Sequence, residues 1–233
     1  MYKILEKTQF SEKVFKFRIE APEMAKHAHA GQFLMVRANE TGERVPFTFA
    51  DWNPEEGWVE FIFMVIGKTT EMLSTYEAGD AIQDVTGPLG QPTEMGEGNW
   101  AVIGGGVGLA IAFPVARQLK ATGHEVHAIM GARTKDLLLL EDQFRSVLDD
   151  EHIHITTDDG SYGEKGVVTA PLERLLQEKK VDHVFCVGPV PMMKFSALTA
   201  EKYGTPIIAS LNPIMVDGTG MCGCCRVEVG GET

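Results

Sequence analysis

Three of the chain's four cysteines fall within four residues, in the stretch Asp217-Gly218-Thr219-Gly220-Met221-Cys222-Gly223-Cys224-Cys225. Cys222 and Cys225 have the C-x2-C spacing that lets two thiolates reach one metal centre, and Asp217 extends the pattern to D-x4-C-x2-C. Plant-type [2Fe–2S] sites take C-x4-C-x2-C plus a distant fourth cysteine. Asp217 stands where the first of those cysteines would be. The glycines at 218, 220 and 223 suit a loop whose backbone must wrap closely round a cluster. Two plainer readings stay open on spacing alone: a tight Gly/Cys turn that binds nothing, and a zinc half-site. The sequence ends eight residues after Cys225 with no further cysteine, and its VEVGGET ending reads as a strand running into a Gly-Gly turn. The expectation is a truncated chain, with the fourth ligand on the missing part.

A second group of residues could hold phosphate. Trp100 to Ile103 reads as a short buried strand, followed by Gly104-Gly105-Gly106-Val107-Gly108 and an apolar helix to about Ala121. Bare amides and a helix N-terminus stabilise an anion in that context. The loop departs from G-x-G-x-x-G, because Leu109 takes the third glycine's place, and no acid caps the next strand; Arg133 lies just past it and could meet a 2′-phosphate. Pro114 is expected to kink this helix or to mark its true start. Asp159, in Thr156 to Ser161, and Gly188-Pro189 follow later strands, at the carboxyl ends where α/β sheets place ligands. Upstream, Arg44-Val45-Pro46-Phe47-Thr48 offers a guanidinium for a pyrophosphate and a hydroxyl for a ring nitrogen. Gly67-Lys68-Thr69-Thr70 opens a short helix and gives a second loop-to-helix anion site. Cys186 reads as a small buried hydrophobe. The seven histidines are scattered without ligand spacing and read as structural, and the eleven methionines as core filler.

Two kinds of element must position these groups. Residues 1–96 alternate in short runs, 14–19, 32–37 and 58–65, separated by turn residues; they predict a small antiparallel β-barrel interrupted by one helix near 70–76. Gly87-Pro88-Leu89-Gly90 closes this region and Gly96 to Asn99 reads as a linker. From 97 to 212 strands alternate with helices: strands near 125–130, 152–156 and 183–187, helices near 138–148, 172–180 and 192–203. That order predicts a parallel sheet of Rossmann type. Residues 213–233 form a third, cysteine-bearing segment.

Composition narrows the partners. The net charge of −12 and pI near 5.0 argue against nucleic acid or an anionic membrane surface. No apolar run approaches the roughly 20 residues of a membrane span, and the start has no signal-peptide pattern. The clustered cysteines do not form a secreted disulfide framework. A cytoplasmic protein is the expectation.

Taken together, R-x-P-F-T, G-K-x-T, G-P-L-G, G-G-G-V-G and G-P-x-P-M-M resemble the ferredoxin–NADP reductase superfamily over essentially the whole chain. Within it, Leu211 to Arg226 is similar to the small subunits of NADH-dependent ferredoxin:NADP oxidoreductases, also called sulfide dehydrogenases. The related electron-transfer subunits of dihydroorotate dehydrogenase usually have cysteine where Asp217 stands. The resemblance implies FAD held by Arg44, Pro46, Phe47 and Thr48, with Thr48 nearest the flavin ring as the catalytic position, and by Gly67, Lys68, Thr69 and Thr70. It implies NAD(H), or NADP(H), along Gly104, Gly105, Gly106, Val107, Gly108, Asp159, Gly188 and Pro189, and a [2Fe–2S] cluster on Asp217, Cys222 and Cys225. The chain would then be an oxidoreductase subunit, passing electrons between these cofactors and a larger flavin/iron–sulfur subunit in a heterodimer, with ferredoxin as a further partner. The alternatives are the dihydroorotate dehydrogenase electron-transfer subunit and, in another class, a nucleotide-binding regulatory module without redox turnover.

Overall fold

The computed structural model describes residues 1–211 and 213–232; the expected segment boundary at 212 and the terminal residue 233 lie outside the described residues. The chain divides into two compact units, residues 1–93 with 211–233, and residues 94–210.

The first unit is built on β1 (Tyr2–Ser11), β2 (Val14–Glu20), α1 (Pro22–His27), β3 (Phe33–Arg37), β4 (Arg44–Asn53), β5 (Trp58–Met64), α2 (Lys68–Ser74), β6 (Ala81–Ile82) and β7 (Asp84–Leu89). The strands form one seven-stranded sheet in the order β6-β1-β2-β5-β4-β3-β7, with every pairing antiparallel. Register shifts in the β1–β2, β4–β5 and β3–β7 pairs bend the sheet round its core. Alternation decides which side chains enter. In β2, Phe15, Phe17 and Ile19 are buried, while Lys16 and Arg18 reach across to Glu60 at 3.1 and 2.7 Å. Phe15, Phe17, Phe47, Phe61 and Phe63 interlock, with Phe47 stacked on Phe61 at 5.0 Å. Two helices interrupt the strands, not one. The six-residue α1 was not expected, and α2 starts two residues before the expected 70 because the Thr70 hydroxyl closes its first turn. Gly87–Leu89 lies within β7, not in a turn.

The second unit holds β8 (Trp100–Gly105), α3 (Leu109–Ala121), β9 (Val126–Ala132), α4 (Glu141–Val147), β10 (Ile153–Thr157), β11 (Glu164–Lys165), α5 (Thr169–Gln177), β12 (His183–Val187), α6 (Val190–Lys202) and β13 (Ile207–Ala209). The parallel sheet runs β11-β10-β9-β8-β12-β13. Ala101, Ile103, Ile129, Val184 and Cys186 face α5 and α6 in one core cluster. Phe113 of α3 meets Phe144 of α4 edge-on at 5.4 Å. Pro114 lies inside α3, which begins five residues earlier at Leu109, so it does not mark the start. Among the described residues no helix is long and apolar enough to cross a membrane.

Phe61 is fully buried in the interlocked aromatic set. Phe61→Ala is expected to destabilise the first unit by about 3–5 kcal/mol, read from urea unfolding curves of parent and variant.

Candidate functional site

After β8 the chain adds β9 and β10 on one side, then crosses back to place β12 on the other. The switch point therefore falls between β8 and β12, where open α/β sheets bind ligands beyond the carboxyl strand ends. The segments leaving these two strands are Gly106 to Gly108 and Gly188-Pro189, so the topology brings two separate motifs side by side.

The five glycine-loop positions are not equivalent. Gly104 and Gly105 belong to β8, and both are buried. A Cβ on Gly104 would lie 2.7 Å from Leu109 Cδ2, one on Gly105 2.5 Å from Met192 Sδ, and one on Gly108 2.5 Å from the Val187 carbonyl oxygen. These three serve close packing of β8, α3, α6 and β12. Gly106 differs: its φ is +55°, and a Cβ there would meet nothing within 4 Å. The open cradle is therefore Gly106-Val107-Gly108 at the start of the thirteen-residue α3, where amides and helix dipole favour an anion. Asp159 follows β10, two strands from β8, about 10 Å across the sheet at ordinary strand spacing. Its Oδ1 accepts from the Ser161 amide at 2.9 Å and the Ser161 hydroxyl at 2.7 Å. The hydroxyl bond foremost holds its carboxyl below the usual range. Asp159 shapes its own turn and is not brought to the glycine cradle by the sheet.

In the first unit, β4 alternates. Val45, Phe47 and Phe49 point into the aromatic core, which leaves Arg44, Pro46 and Thr48 on the opposite face. Phe47 thus packs against the core while staying half-buried. β3 pairs Phe33 with Thr48, Met35 with Pro46 and Arg37 with Arg44, and β7 sets Thr86 beside Met35 and Asp84 beside Arg37. Arg44 reaches across β3, its Nη2 2.5 Å from Asp84 Oδ2 and its Nη1 3.2 Å from Thr86 Oγ1. The guanidinium is exposed but oriented. At the start of α2, Thr70 Oγ1 accepts from the amides of Ile66 and Gly67 at 3.0 and 3.1 Å and donates to the Gly67 carbonyl at 2.8 Å. Thr70 is committed to capping, so Gly67, exposed Lys68 and Thr69 are what this turn can offer.

Met35 lies on the Pro46 face, away from the core, yet is 1% exposed. The cysteine loop covers it. A Cβ on Gly218 would lie 2.8 Å from Met35 Cγ and 3.2 Å from Leu89 Cδ1, and Gly218 has φ +75°. A glycine is needed there on both counts. Asp217 folds the loop. Its Oδ1 accepts from the Thr219 amide at 2.8 Å and the Gly220 amide at 3.3 Å, and its Oδ2 from the Cys222 amide at 2.9 Å. The Thr219 bond leads in holding its carboxyl below the usual range. The Cys222 thiol is also pulled down, first by the Cys224 amide, whereas its bond to Cys222 raises the Cys224 thiol. Cys222 is exposed and Cys225 half-buried. Motif reading missed Met35, Leu89, Asp84 and Thr86; the signal was strand pairing, which a single strand's sequence does not carry.

An antiparallel curled sheet with an outward-facing Arg/Pro/Thr ladder, together with a parallel sheet opening on a glycine cradle, defines a flavin- and nicotinamide-dependent oxidoreductase of ferredoxin-reductase-like fold. Residues 1–93 match the model of the oxidoreductase FAD-binding domain and residues 102–197 that of the oxidoreductase NAD-binding domain. The chain is 49% identical over 98% of its length, and 80% of the relative's, to a dihydroorotate dehydrogenase B electron-transfer subunit homologue of Thermotoga maritima. It is 31% identical to the corresponding subunit of Streptococcus mutans over 98% of this chain and 88% of that one. A chain of the solved NADH-dependent reduced ferredoxin–NADP oxidoreductase superposes with a TM-score of 0.92 at 48% identity, covering 100% of this chain and 83% of the other. The chain belongs to the dihydroorotate dehydrogenase B electron-transfer subunit family. It is an electron-transfer subunit of an oxidoreductase, with an FAD-binding and an NAD-binding domain.

Gly108→Ala is expected to cost the second unit about 1–3 kcal/mol, since its methyl has no room beside Val187. Gly106→Val meets no neighbour but strains a backbone at φ +55°, so it is expected to cost the second unit about 1–3 kcal/mol, to leave the flavin of the first unit bound and to abolish NADH binding. Circular dichroism, flavin content and NADH titration of the two variants separate these effects; unaltered NADH affinity in Gly106→Val would show that the cradle lies elsewhere.

Proposed function

We propose that the chain is the NADH-oxidising or NAD-reducing subunit of a ferredoxin:NADP oxidoreductase-type complex, in which electrons pass between NAD(H), FAD and a [2Fe–2S] cluster. The observation that carries this reading is the seat of the cysteine loop: Gly218 rests on Met35 and Leu89, on the sheet face that also bears Pro46 and Thr48. The donor chemistry fits the cluster. Cys222 is held towards its thiolate form, and the Asp217 oxygens, which accept three amides, keep lone pairs for a metal. A carboxylate in place of one thiolate is a harder donor, and ligand type tunes cluster potential.

When bound, the cofactors supply hydride transfer and the change from paired to single electrons; the protein supplies placement. Arg44, aimed by Asp84 and Thr86, offsets the charge of the FAD pyrophosphate, supported by Gly67, Lys68 and Thr69. Thr48 offers its hydroxyl to the flavin ring from a rigid strand, with Pro46 beside it. In the second unit the amides of Gly106 to Gly108 and the start of α3 bind the phosphates of the nicotinamide nucleotide, and Gly188-Pro189 borders them across the switch point. Asp217, Cys222 and Cys225 supply three cluster ligands.

The partner is a larger flavin/iron–sulfur subunit, as expected of an electron-transfer subunit, and ferredoxin is the further carrier. The exposed thiols suit a reducing compartment, so the reading places the complex in the cytoplasm. A second reading, the electron-transfer subunit of a dihydroorotate dehydrogenase, draws on the names of the Thermotoga and Streptococcus relatives; Asp217 in place of cysteine favours the first.

Visible spectra of the complex purified with its partner, before and after NADH, test the redox reading: bleaching of bound flavin supports it, and an unchanged spectrum with FAD bound refutes it. Turnover with ferredoxin and NADP, against turnover with dihydroorotate, decides between the two readings. Arg44→Ala is expected to weaken FAD retention by about 1.5–3 kcal/mol, read by flavin fluorescence on dilution. Asp217→Cys should keep a cluster with altered spectrum and potential, whereas Asp217→Ala should lose it; parental spectra in both variants would reduce Asp217 to a turn former.

A further inference from the structure

The histidines of the second unit are not scattered once the sheet is formed. β9 and β10 are parallel neighbours, pairing Ala128 with Ile153 and Ile129 with His154. Alternation then puts Glu125 and His127, and His152 and His154, on one face at the amino ends of the two strands. This is the opposite end of the sheet from the glycine cradle, about 16 Å along β9 at ordinary strand rise. The His127 ring lies 4.7 Å from that of His152 and 5.4 Å from that of His154. Glu125 Oε1 is 3.4 Å from His127 Nε2 and 3.7 Å from His152 Nε2. The three side chains bring ligand atoms within 4.8 Å of one another, and no other such trio occurs among the described residues.

The geometry points to a site for a divalent transition-metal ion of the Zn2+ class, with Glu125, His127 and His152 as ligands and His154 as the positioning residue that orients His127. Four features carry it. The first is an orphaned buried atom: His127 is 4% exposed, and its Nε2 has no hydrogen-bond partner. The 3.4 Å approach to Glu125 would be an ion pair only with a charged imidazole. The second is the outer partner. His127 Nδ1 lies 3.2 Å from His154 Nε2. With the proton on Nδ1, Nε2 turns a lone pair on the Glu125 carboxylate; a cation between them converts that repulsion into coordination. Ligating histidines commonly have their other nitrogen fixed in this way.

The third feature is spacing. Tetrahedral zinc with bonds of about 2.0–2.1 Å sets its ligand atoms roughly 3.4 Å apart, close to the two contacts of Glu125. Two imidazoles and one carboxylate suit zinc-like ions over Mg2+ or Ca2+. The fourth is access and charge. Glu125 is half-exposed, which leaves an entry path. The nearby cations are already paired, Arg174 with Glu164 and Lys180 with Glu178. An ion here would tie β9 to β10, at the end of the sheet opposite the glycine cradle.

The test is equilibrium dialysis of the flavin-loaded protein, free of any histidine tag, against Zn2+. The Cys222→Ser variant subtracts thiolate binding. Parent and Cys222→Ser are expected to share one bound equivalent that His127→Gln loses. Glu125→Gln should weaken it at least ten-fold, and His154→Phe by about 10–100-fold, as for outer partners elsewhere. Circular dichroism and flavin content establish that each variant is folded, and His152→Gln, at the more exposed ring, serves the same purpose should His127→Gln not fold. Zn2+ stoichiometry and affinity unchanged in the histidine variants, or no equivalent held in common by parent and Cys222→Ser, would overturn the site and leave a packed stack of imidazoles.

Discussion

The pairing of β3 with its two neighbours is the constraint on which the first unit depends. Met35 lies between Pro46 and Thr86, and this single register decides three things. It sends Leu34, Val36, Val45 and Phe47 to the core, turns Arg44 and Thr48 outward, and brings Asp84 within reach of Arg44. A slip of one residue would exchange the two faces, exposing the aromatic side and burying a guanidinium. The interlocked phenylalanines make that slip costly, so the core that stabilises the sheet also fixes the polar ladder on its back.

In the second unit the corresponding constraint is steric. β8, β12 and the starts of α3 and α6 approach so closely that Gly104, Gly105 and Gly108 leave no room for a methyl group. That closeness places the amino end of α3 beside the end of β12, and it leaves Gly106 as the one position of the loop where the backbone is bare and unobstructed. Packing and binding are thus divided among neighbouring glycines that look interchangeable in the sequence.

The legible parts were those whose signal is local. β2, β5 and β12 were found nearly to the residue from alternation or from short apolar runs, and the β-then-α/β order foretold both sheets. What was missed depends on partners distant in sequence. The resemblance assigns Phe47 to FAD because it sits inside a motif, and the motif does not show that its ring packs, half-buried, against Phe61 of the neighbouring β5. The six-residue α1 carries too few residues to show a helical period. Asp159 follows a strand end, as ligands do, but at a strand removed from the switch point. The histidines looked unpatterned along the chain, yet Glu125-x-His127 and His152-x-His154 each have a spacing of two, the period that puts side chains on one face of a strand.

The carboxylate of Asp217 has one more consequence. Three amide hydrogens converge on it, and these bonds set the path from Asp217 to Cys222. Holding that path takes conformational freedom from the intervening residues, which the three bonds offset. On the proposed reading, a cluster binding there would meet a turn already shaped by its own hydrogen bonds, with less of the loop left to order.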